Sequence, residues 1–188
     1  MRMYVVEKIR FWAEWLRRLG RSRGFGIQSP SAYQFVTEIL CQRMSYYAYE
    51  ELLARFPEVK GRQGKLYRLL FRLSNYRQAA QTYVTPQLSE AGREYLLAGN
   101  RRTALGEVAE GCELAVVSAS DDNLSRFLEV LPDDGVLILL GLRQKGRLSA
   151  FWPVVKACER VGMTFDAYDV GVALLGRNLH RQHYSVNL

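Results

Sequence analysis

Two short apolar runs separated by a helix-length segment most strongly limit what this chain can fold into. Leu114–Ala119 (LAVVSA) and Gly135–Leu140 (GVLILL) are continuous rather than alternating, which is typical of strands buried on both faces of a sheet. Between them, Asp122 is placed to cap a helix that we expect over residues 123–131. The stretch 113–141 therefore predicts a strand, a crossover helix and a parallel strand, and such a unit needs helices on both faces of its sheet.

The N-terminal part of the chain predicts helices that supply this cover. Its strongest pattern is an amphipathic helix over Met3–Leu19, whose apolar stripe includes Trp12 and Leu16. Ser29 is a candidate N-cap, with Pro30 at the first helical position. Four helices are expected before any strand: residues 3–19, a helix from Pro30, a short helix from Tyr46 that ends before Pro57, and residues 65–76, which follow a loop at Lys60–Lys65 and carry Arg68 and Arg72 outward.

The remaining segments predict the other elements of an α/β fold with a mostly parallel sheet and an antiparallel C-terminal edge. They are, in chain order, a strand at Gln81–Val84, a helix at Ser89–Leu97, a strand or a helical turn within 101–108, a helix at Ser149–Val161 with Pro153 in its first turn, an antiparallel pair at Thr164–Asp169 and Val172–Leu175 joined near Gly171, and a last strand at His183–Val186. We expect residues 1–78 to form an N-terminal helical subdomain and residues 79–188 an α/β domain, the two making one structural unit.

The net charge of +7 is unevenly distributed, because residues 1–80 hold 15 Lys and Arg against 6 Asp and Glu. Such a surface can recruit nucleic acid, an acidic partner or anionic lipid, although a solvated helix face is the more common explanation. The basic residues that would form the patch are Arg17, Arg18, Arg21, Arg23, Arg68 and Arg72.

Three features of the sequence bear on the compartment. The apolar runs are much shorter than the roughly 20 residues that span a bilayer. The N-terminus lacks the apolar core of a signal peptide. Cys41, Cys112 and Cys158 are odd in number and far apart, without metal-ligand spacing. We therefore expect buried thiols in a protein of the reducing cytoplasm, with no membrane span and no metal site.

Several short segments distributed along the chain match one family. They are RGFGIQSP at 23–30, YYAYE at 46–50, LLFRL at 69–73, GVLILL at 135–140, Trp152, and RQHYSV at 181–186. These segments resemble class I S-adenosylmethionine-dependent methyltransferase-like proteins common in Bacteroidetes. The resemblance implies a Rossmann-like sheet with a reversed last strand, a helical N-terminal cap and S-adenosylmethionine as the cofactor.

The first strand and its loop depart from that family. Its members follow the strand with an acidic residue and a G-x-x-x-G loop, because only glycine lets the backbone approach the methionine part of the cofactor. In this chain Val84, Pro86 and Glu90 fall at those positions. Only 29 residues run from Thr85 to Glu113, too few for three crossovers and two further strands. We therefore expect a sheet reduced in strand number, and no residue stands out to replace the acid that holds the ribose hydroxyls.

The acids that end two further strands in the family are also missing. Ser118 and the Leu140-Gly141 pair occupy those positions, while Asp121 and Asp122 are shifted toward the next helix, where capping is the better explanation. We assign no catalytic residue. His180 and His183 offer a general base only as an alternative to an edge-strand position.

The favoured interpretation is a degenerate, non-catalytic family member that serves as a binding or assembly module and carries no cofactor. One alternative is an active methyltransferase with a rebuilt cofactor site at Thr85, Pro86, Gln87, Ser118 and Ser120, at the strand ends where open α/β sheets bind ligands. Another is a nucleic-acid-binding module that uses the basic patch. A protein partner or a second copy of the chain is expected to bind through the N-terminal helices.

Overall fold

A seven-stranded mixed sheet organises the part of the chain that the computed structural model describes, residues 26–143 and 146–187. The helix expected at Met3–Leu19, with its Trp12 and Leu16, lies outside these residues. The helices are α1 (Pro30–Phe35), which continues as a π-helical turn at Val36–Leu40, α2 (Tyr47–Arg55), α3 (Gly61–Arg77), α4 (Glu90–Gly99), α5 (Arg126–Val130) and α6 (Arg147–Ala157). The strands are β1 (Gln81–Val84), β2 (Ala104–Gly106), β3 (Leu114–Ser118), β4 (Val136–Leu140), β5 (Val161–Asp166), β6 (Val170–Leu175) and β7 (Gln182–Ser185).

The strand order across the sheet is β2-β1-β3-β4-β6-β5-β7. Strand β6 runs antiparallel to β4 and to β5, and the other pairs are parallel. The α/β class is thereby confirmed, as is a mostly parallel sheet with antiparallel pairing toward its C-terminal edge. The prediction of a reduced strand number is wrong for the sheet as a whole, because the described residues form seven strands, against six in a common doubly wound sheet. β3 and β4 are parallel neighbours in register from Leu114 opposite Val136, as the two apolar runs predict.

The helix between β3 and β4 is shorter than predicted. It covers Arg126–Val130 rather than residues 123–131, because Asn123 has a left-handed backbone with a φ of 47° that a right-handed helix cannot include. The prediction that Asp122 caps this helix is wrong. Its side chain is fully exposed and pairs with Arg147 at 3.4 Å.

Helices α1 to α4 cover one face of the sheet and share one apolar core with it. The Ser29 cap is confirmed, since its hydroxyl accepts a hydrogen bond from the N–H of Ala32. The loop predicted at Lys60–Lys65 is wrong, because α3 begins at Gly61. Gly64 lies within this helix and does not break it, and a Cβ there would be in ordinary contact with the carbonyl oxygen of Val59 at 3.4 Å.

The opposite face is covered by α5, α6 and the connection from β2 to β3. Because α6 begins at Arg147, Pro153 lies inside the helix and not in its first turn as predicted. The β5–β6 turn is at residues 167–169 rather than near Gly171. Gly171 is within β6, where a Cβ would lie 2.9 Å from the Trp152 ring, so this glycine marks a close packing contact rather than a turn.

The first and last strands of the sheet agree with the sequence. β1 matches its predicted range, and the uncertain segment 101–108 contains the short strand β2. The helix after β1 begins at the Ser89 cap and ends at Gly99, two residues beyond the predicted Leu97. β7 pairs in parallel with β5, which confirms a last strand in the C-terminal tail.

Gly99 marks the closest approach of α3 and α4. A Cβ at this position would overlap the carbonyl oxygen of Phe71 and lie 3.0 Å from the Cβ of Ser74. We therefore expect Gly99→Ala to lower the free energy of unfolding by about 2–3 kcal/mol, since backbone atoms cannot move aside as a side chain can. Equilibrium unfolding in urea measures the change.

Gly106→Ala is the matched control for this substitution. Its added Cβ would have no neighbour nearer than the backbone nitrogen of Val108 at 4.0 Å, so we expect a change within about 0.5 kcal/mol. Equal stabilities of the two variants would contradict the close helix contact.

Candidate functional site

An open cleft of about 480 Å³ lies at the carboxyl ends of β1, β2 and β3. The chain leaves β1 for β2 on one side and then crosses to β3 on the other side of β1. In open α/β sheets this reversal point is the general position of ligand sites. The cleft is lined by Tyr83, Pro86, Gln87, Glu107, Val108, Ala109, Glu110, Ser120, Asp121, Asp122, Asn123, Arg126 and Phe127.

A cluster of hydroxyl and amide groups covers the strand ends beside this cleft. Thr85 extends the β1 ladder, since its N–H donates to the carbonyl of Val116. Its hydroxyl lies 2.5 Å from Gln87 Oε1 and 2.8 Å from the Ser118 hydroxyl. The Ser118 hydroxyl also lies 3.2 Å from Gln87 Oε1 and 2.7 Å from the Ser120 hydroxyl. These groups therefore satisfy one another across the ends of β1 and β3.

Asp121 lies beneath this cluster as a buried carboxylate, only 5% exposed. One of its oxygens accepts a hydrogen bond from the Tyr83 hydroxyl at 2.7 Å, and the other accepts one from the Ser118 N–H at 2.5 Å. Burial raises the pKa of Tyr83, and the Asp121 carboxylate raises it further. Asp121 therefore ties the end of β3 to the middle of β1, and the prediction that it caps the following helix is wrong.

The rim of the cleft is mostly acidic. Arg93 contacts the Glu107 Oε1 atom at 3.3 Å, and the half-exposed Glu107 side chain lines the cleft. Glu110 pairs with Arg126. Among the residues that the structure describes, four acidic residues and one basic residue line the cleft. Arginines offset part of this charge, since Glu107 pairs with Arg93, Glu110 with Arg126 and Asp122 with Arg147.

The structure brings together Thr85, Gln87, Ser118 and Ser120, the residues that the sequence singles out at the strand ends, and Pro86 lines the same cleft. Sequence reasoning missed Glu107, which follows β2 directly. It lies about 20 residues beyond the turn after β1, the spacing at which Rossmann-type sheets carry a ribose-binding acid. That spacing could have identified it had the three-residue strand β2 been assigned.

Arg72 is buried and does not belong to the predicted basic surface patch. This side chain is 8% exposed, and it donates to the carbonyl oxygens of Ile39 and Leu40 at 2.5 and 2.9 Å. The prediction that it faces solvent is wrong, because the end of the π-helical turn has unpaired carbonyls that attract a donor. Arg68 is exposed and lies over the Tyr49 ring. Arg17, Arg18, Arg21 and Arg23 lie outside the described residues.

The other candidate reactive groups are His183 and Cys112. Neither lines the cleft, and Cys112 is buried. His183 is on the edge strand β7, as predicted, with Nδ1 2.9 Å from the Thr164 hydroxyl. Burial and the nearby charges of Lys156 and Arg181 lower its pKa. Burial raises the pKa of the Cys112 thiol to about 11, which disfavours a thiolate nucleophile.

Within residues 26–143 and 146–187, no group of three His, Cys, Asp or Glu side chains is arranged to hold a metal ion. None of the helices in these two ranges is long and apolar enough to cross a membrane. Comparison with models of protein families and with characterised proteins gives no match to this chain.

The Tyr83–Asp121 pair predicts a pH dependence of stability. At pH 8 we expect Tyr83→Phe to be about 1–2 kcal/mol less stable than wild type, because the buried Asp121 carboxylate loses a hydrogen bond. The raised pKa keeps Tyr83 protonated in the folded state, whereas the unfolded chain releases this proton above about pH 10. Above about pH 10, the free energy of unfolding of wild type therefore falls through Tyr83 by up to about 1.4 kcal/mol per pH unit. The stability difference between wild type and Tyr83→Phe narrows accordingly.

Urea unfolding from pH 8 to pH 11 measures this difference directly. Tyr49, Tyr95 and Tyr184 also have raised pKa values, but they are present in both proteins and cancel. Ser120→Ala removes a hydroxyl of the same cluster that does not ionise, so its difference from wild type should stay constant. A constant difference for Tyr83→Phe would contradict the buried pair.

Proposed function

We propose that the protein is a methyltransferase-like, non-catalytic binding module whose acidic cleft takes the ribose and base of a nucleoside-type ligand. The observation that carries the proposal is the open, acid-lined cleft at the reversal point of the sheet, with Glu107 at the end of β2. The family resemblance of the sequence supplies the expectation of an adenosyl ligand.

The topology supports a Rossmann-like scaffold. The order β2-β1-β3-β4 corresponds to the centre of a doubly wound sheet, in which the first strand borders the reversal point. One helix and one three-residue strand separate β1 from β3 before the loop 107–113. We interpret this as a sheet shortened at its β2 edge.

Glu107 supports recognition of a ribose. A half-exposed carboxylate that lines a cleft can accept hydrogen bonds from the hydroxyls of a ligand, and such charge-assisted bonds are about twice as strong as neutral ones. The exposed side chain of Val108 follows directly, 68% exposed at the rim, and offers an apolar surface to a base. We assign these two residues to the ligand.

The charge of the cleft supports a ligand without phosphates. Among the described residues, Glu107, Glu110, Asp121 and Asp122 line the site together with Arg126, and the arginines that pair with Glu107, Glu110 and Asp122 offset their charge only in part. Dinucleotides and nucleoside triphosphates would bring further negative charge, and like charges placed together at a binding site are strongly unfavourable. Adenosine and the cationic S-adenosylmethionine remain compatible.

The residues present fit only part of S-adenosylmethionine. The nucleoside part has an acid and an open cleft available. At the loop after β1, where the resemblance implies that glycines admit the methionine part, Pro86 and Gln87 stand instead, and Gln87 bonds both strand ends. This mismatch supports a module that binds without transferring a methyl group.

An active methyltransferase with an atypical cofactor site is the second candidate, favoured specifically by the cleft being open. The two candidates differ in which part of the cofactor supplies the affinity. Recognition of the methionine part would make S-adenosylmethionine bind at least about 100-fold more tightly than adenosine, about 2.7 kcal/mol.

The test is calorimetric titration of the full chain with adenosine, S-adenosylmethionine and ATP. We expect adenosine to bind with a dissociation constant of about 10–100 μM, or about −7 to −5.5 kcal/mol, and ATP to bind at least about tenfold more weakly. Glu107→Gln should weaken adenosine binding about tenfold, about 1.4 kcal/mol, because the charge-assisted bonds are lost.

Glu58→Gln provides the control, since Glu58 is exposed and does not line the cleft. It should bind adenosine as wild type does. Absence of adenosine binding at millimolar concentration, or tighter binding of ATP than of adenosine, would rule out the proposed ligand class.

The proposed compartment is the cytoplasm, and the proposed partners are those that the sequence predicts. The odd number and wide spacing of Cys41, Cys112 and Cys158 in the sequence favour the reducing cytoplasm. A protein partner or second copy binding through residues 3–19 remains a prediction, checkable by sedimentation of the full chain.

A further inference from the structure

The carboxamide of Gln87 spans the gap between the ends of two neighbouring strands. Its Oε1 atom lies 2.5 Å from the Thr85 hydroxyl and 3.2 Å from the Ser118 hydroxyl. Thr85 follows the last residue of β1, and Ser118 is the last residue of β3. The side chain thus covers the point at which the strand order of the sheet reverses, the position where ligands of open α/β sheets approach the strands.

Gln87 is held in this position from both sides. Thr85 is 1% exposed and is fixed by its backbone bond to Val116. Ser118 is fixed by pairing opposite Leu140 and by the bond from its N–H to Asp121. A carboxamide can bond two hydroxyls in either of its orientations, so the cover does not depend on which end faces them.

The rest of Gln87 faces the cleft, which it lines together with Pro86. The open volume therefore lies outward from the strand ends, between the loop that carries Glu107 and the segment that carries Ser120. A compact ligand can occupy this outer volume without disturbing Gln87. A longer ligand that extends over the strand ends meets the carboxamide and has to break its two hydrogen bonds.

We propose that Gln87 is the specificity-determining residue of the cleft, which admits a bare nucleoside and excludes a group that extends from it across the strand ends. This inference rests on the proposed nucleoside site. The acidic residues at the rim of the cleft select ligands by charge. Gln87 adds a selection by ligand length.

Removing the side chain should leave the strand ends intact. The hydroxyls of Thr85 and Ser118 lie 2.8 Å apart and bond each other directly, and Ser118 also contacts Ser120. Gln87 itself is exposed, so its truncation creates no buried cavity. Gln87→Ala and Gln87→Gly are therefore suitable variants, and thermal unfolding verifies that both fold.

The experiment compares the affinities of adenosine and S-adenosylmethionine for wild type and for these variants by calorimetry. In wild type we expect S-adenosylmethionine to bind about tenfold more weakly than adenosine, about 1.4 kcal/mol, because its extension has to break the hydrogen bonds of Gln87. Gln87→Ala and Gln87→Gly should raise the ratio of S-adenosylmethionine affinity to adenosine affinity about tenfold, because the extension no longer has to displace the carboxamide. Gln34→Ala, on α1 and outside the cleft, should leave both affinities as in wild type.

The possible outcomes separate this inference from the proposed function. If adenosine binds but the ratio is the same in both Gln87 variants as in wild type, Gln87 does not select the ligand and the inference is overturned. Preferential binding of S-adenosylmethionine to wild type by about 100-fold would overturn it too and favour the catalytic candidate. If neither ligand binds any of the proteins, the proposed site and the inference both fail.

Discussion

The short chain between β1 and β3 is the constraint on which the cleft depends. From Thr85 to Glu113 there are 29 residues, and α4 with β2 uses most of them. Seven residues, 107–113, then have to return from the carboxyl ends of the strands to their amino ends, where the Glu113 N–H donates to the carbonyl of Gln81. That length spans at most about 25 Å, and it includes a turn in which the Cys112 N–H donates to the carbonyl of Ala109, so the return is a short loop without a helix. The loop covers the sheet with Ala109 and Cys112 and leaves Glu107 and Glu110 at the rim of an open space.

Much of the sheet could be predicted because buried strands leave a strong local pattern. The strands β3 and β4 are apolar at every position except Ser118, since both faces are covered, and their parallel pairing follows. Glycines were less informative. Gly64 and Gly171 suggested a loop and a turn, yet Gly64 lies within a helix, and Gly171 accommodates the Trp152 ring, which lies nearby only in the folded chain. The burial of Arg72 was not predictable either. Helical periodicity alone places this residue on the surface, but its guanidinium donates to the carbonyl oxygens of Ile39 and Leu40 at the end of the π-helical turn.

The candidate site was predictable only where it depends on strand ends. Thr85 and Ser118 follow or end apolar runs, so their proximity could be expected from the sheet alone. The Tyr83–Asp121 pair joins residues 38 positions apart, and nothing in the sequence distinguishes this buried aspartate from a helix cap. The position of Glu107 depends on β2, a three-residue strand that is too short to be recognised from its sequence pattern. In the structure, pairing of Ala104–Gly106 with β1 fixes the register of this strand.

The hydrogen bonds at the strand ends also determine which part of a ligand can be recognised. Thr85, Gln87, Ser118 and Ser120 are bonded to each other, so a ligand reaching them has to replace existing bonds and gains little net free energy. Glu107 and Val108 are half-exposed or exposed, and their contacts with a ligand would be new. In an enzyme the energy of binding a remote, unreactive part of the substrate serves to position the reacting centre. In the binding module that we propose, the strand ends are covered, and the binding energy of the nucleoside part would be retained as affinity.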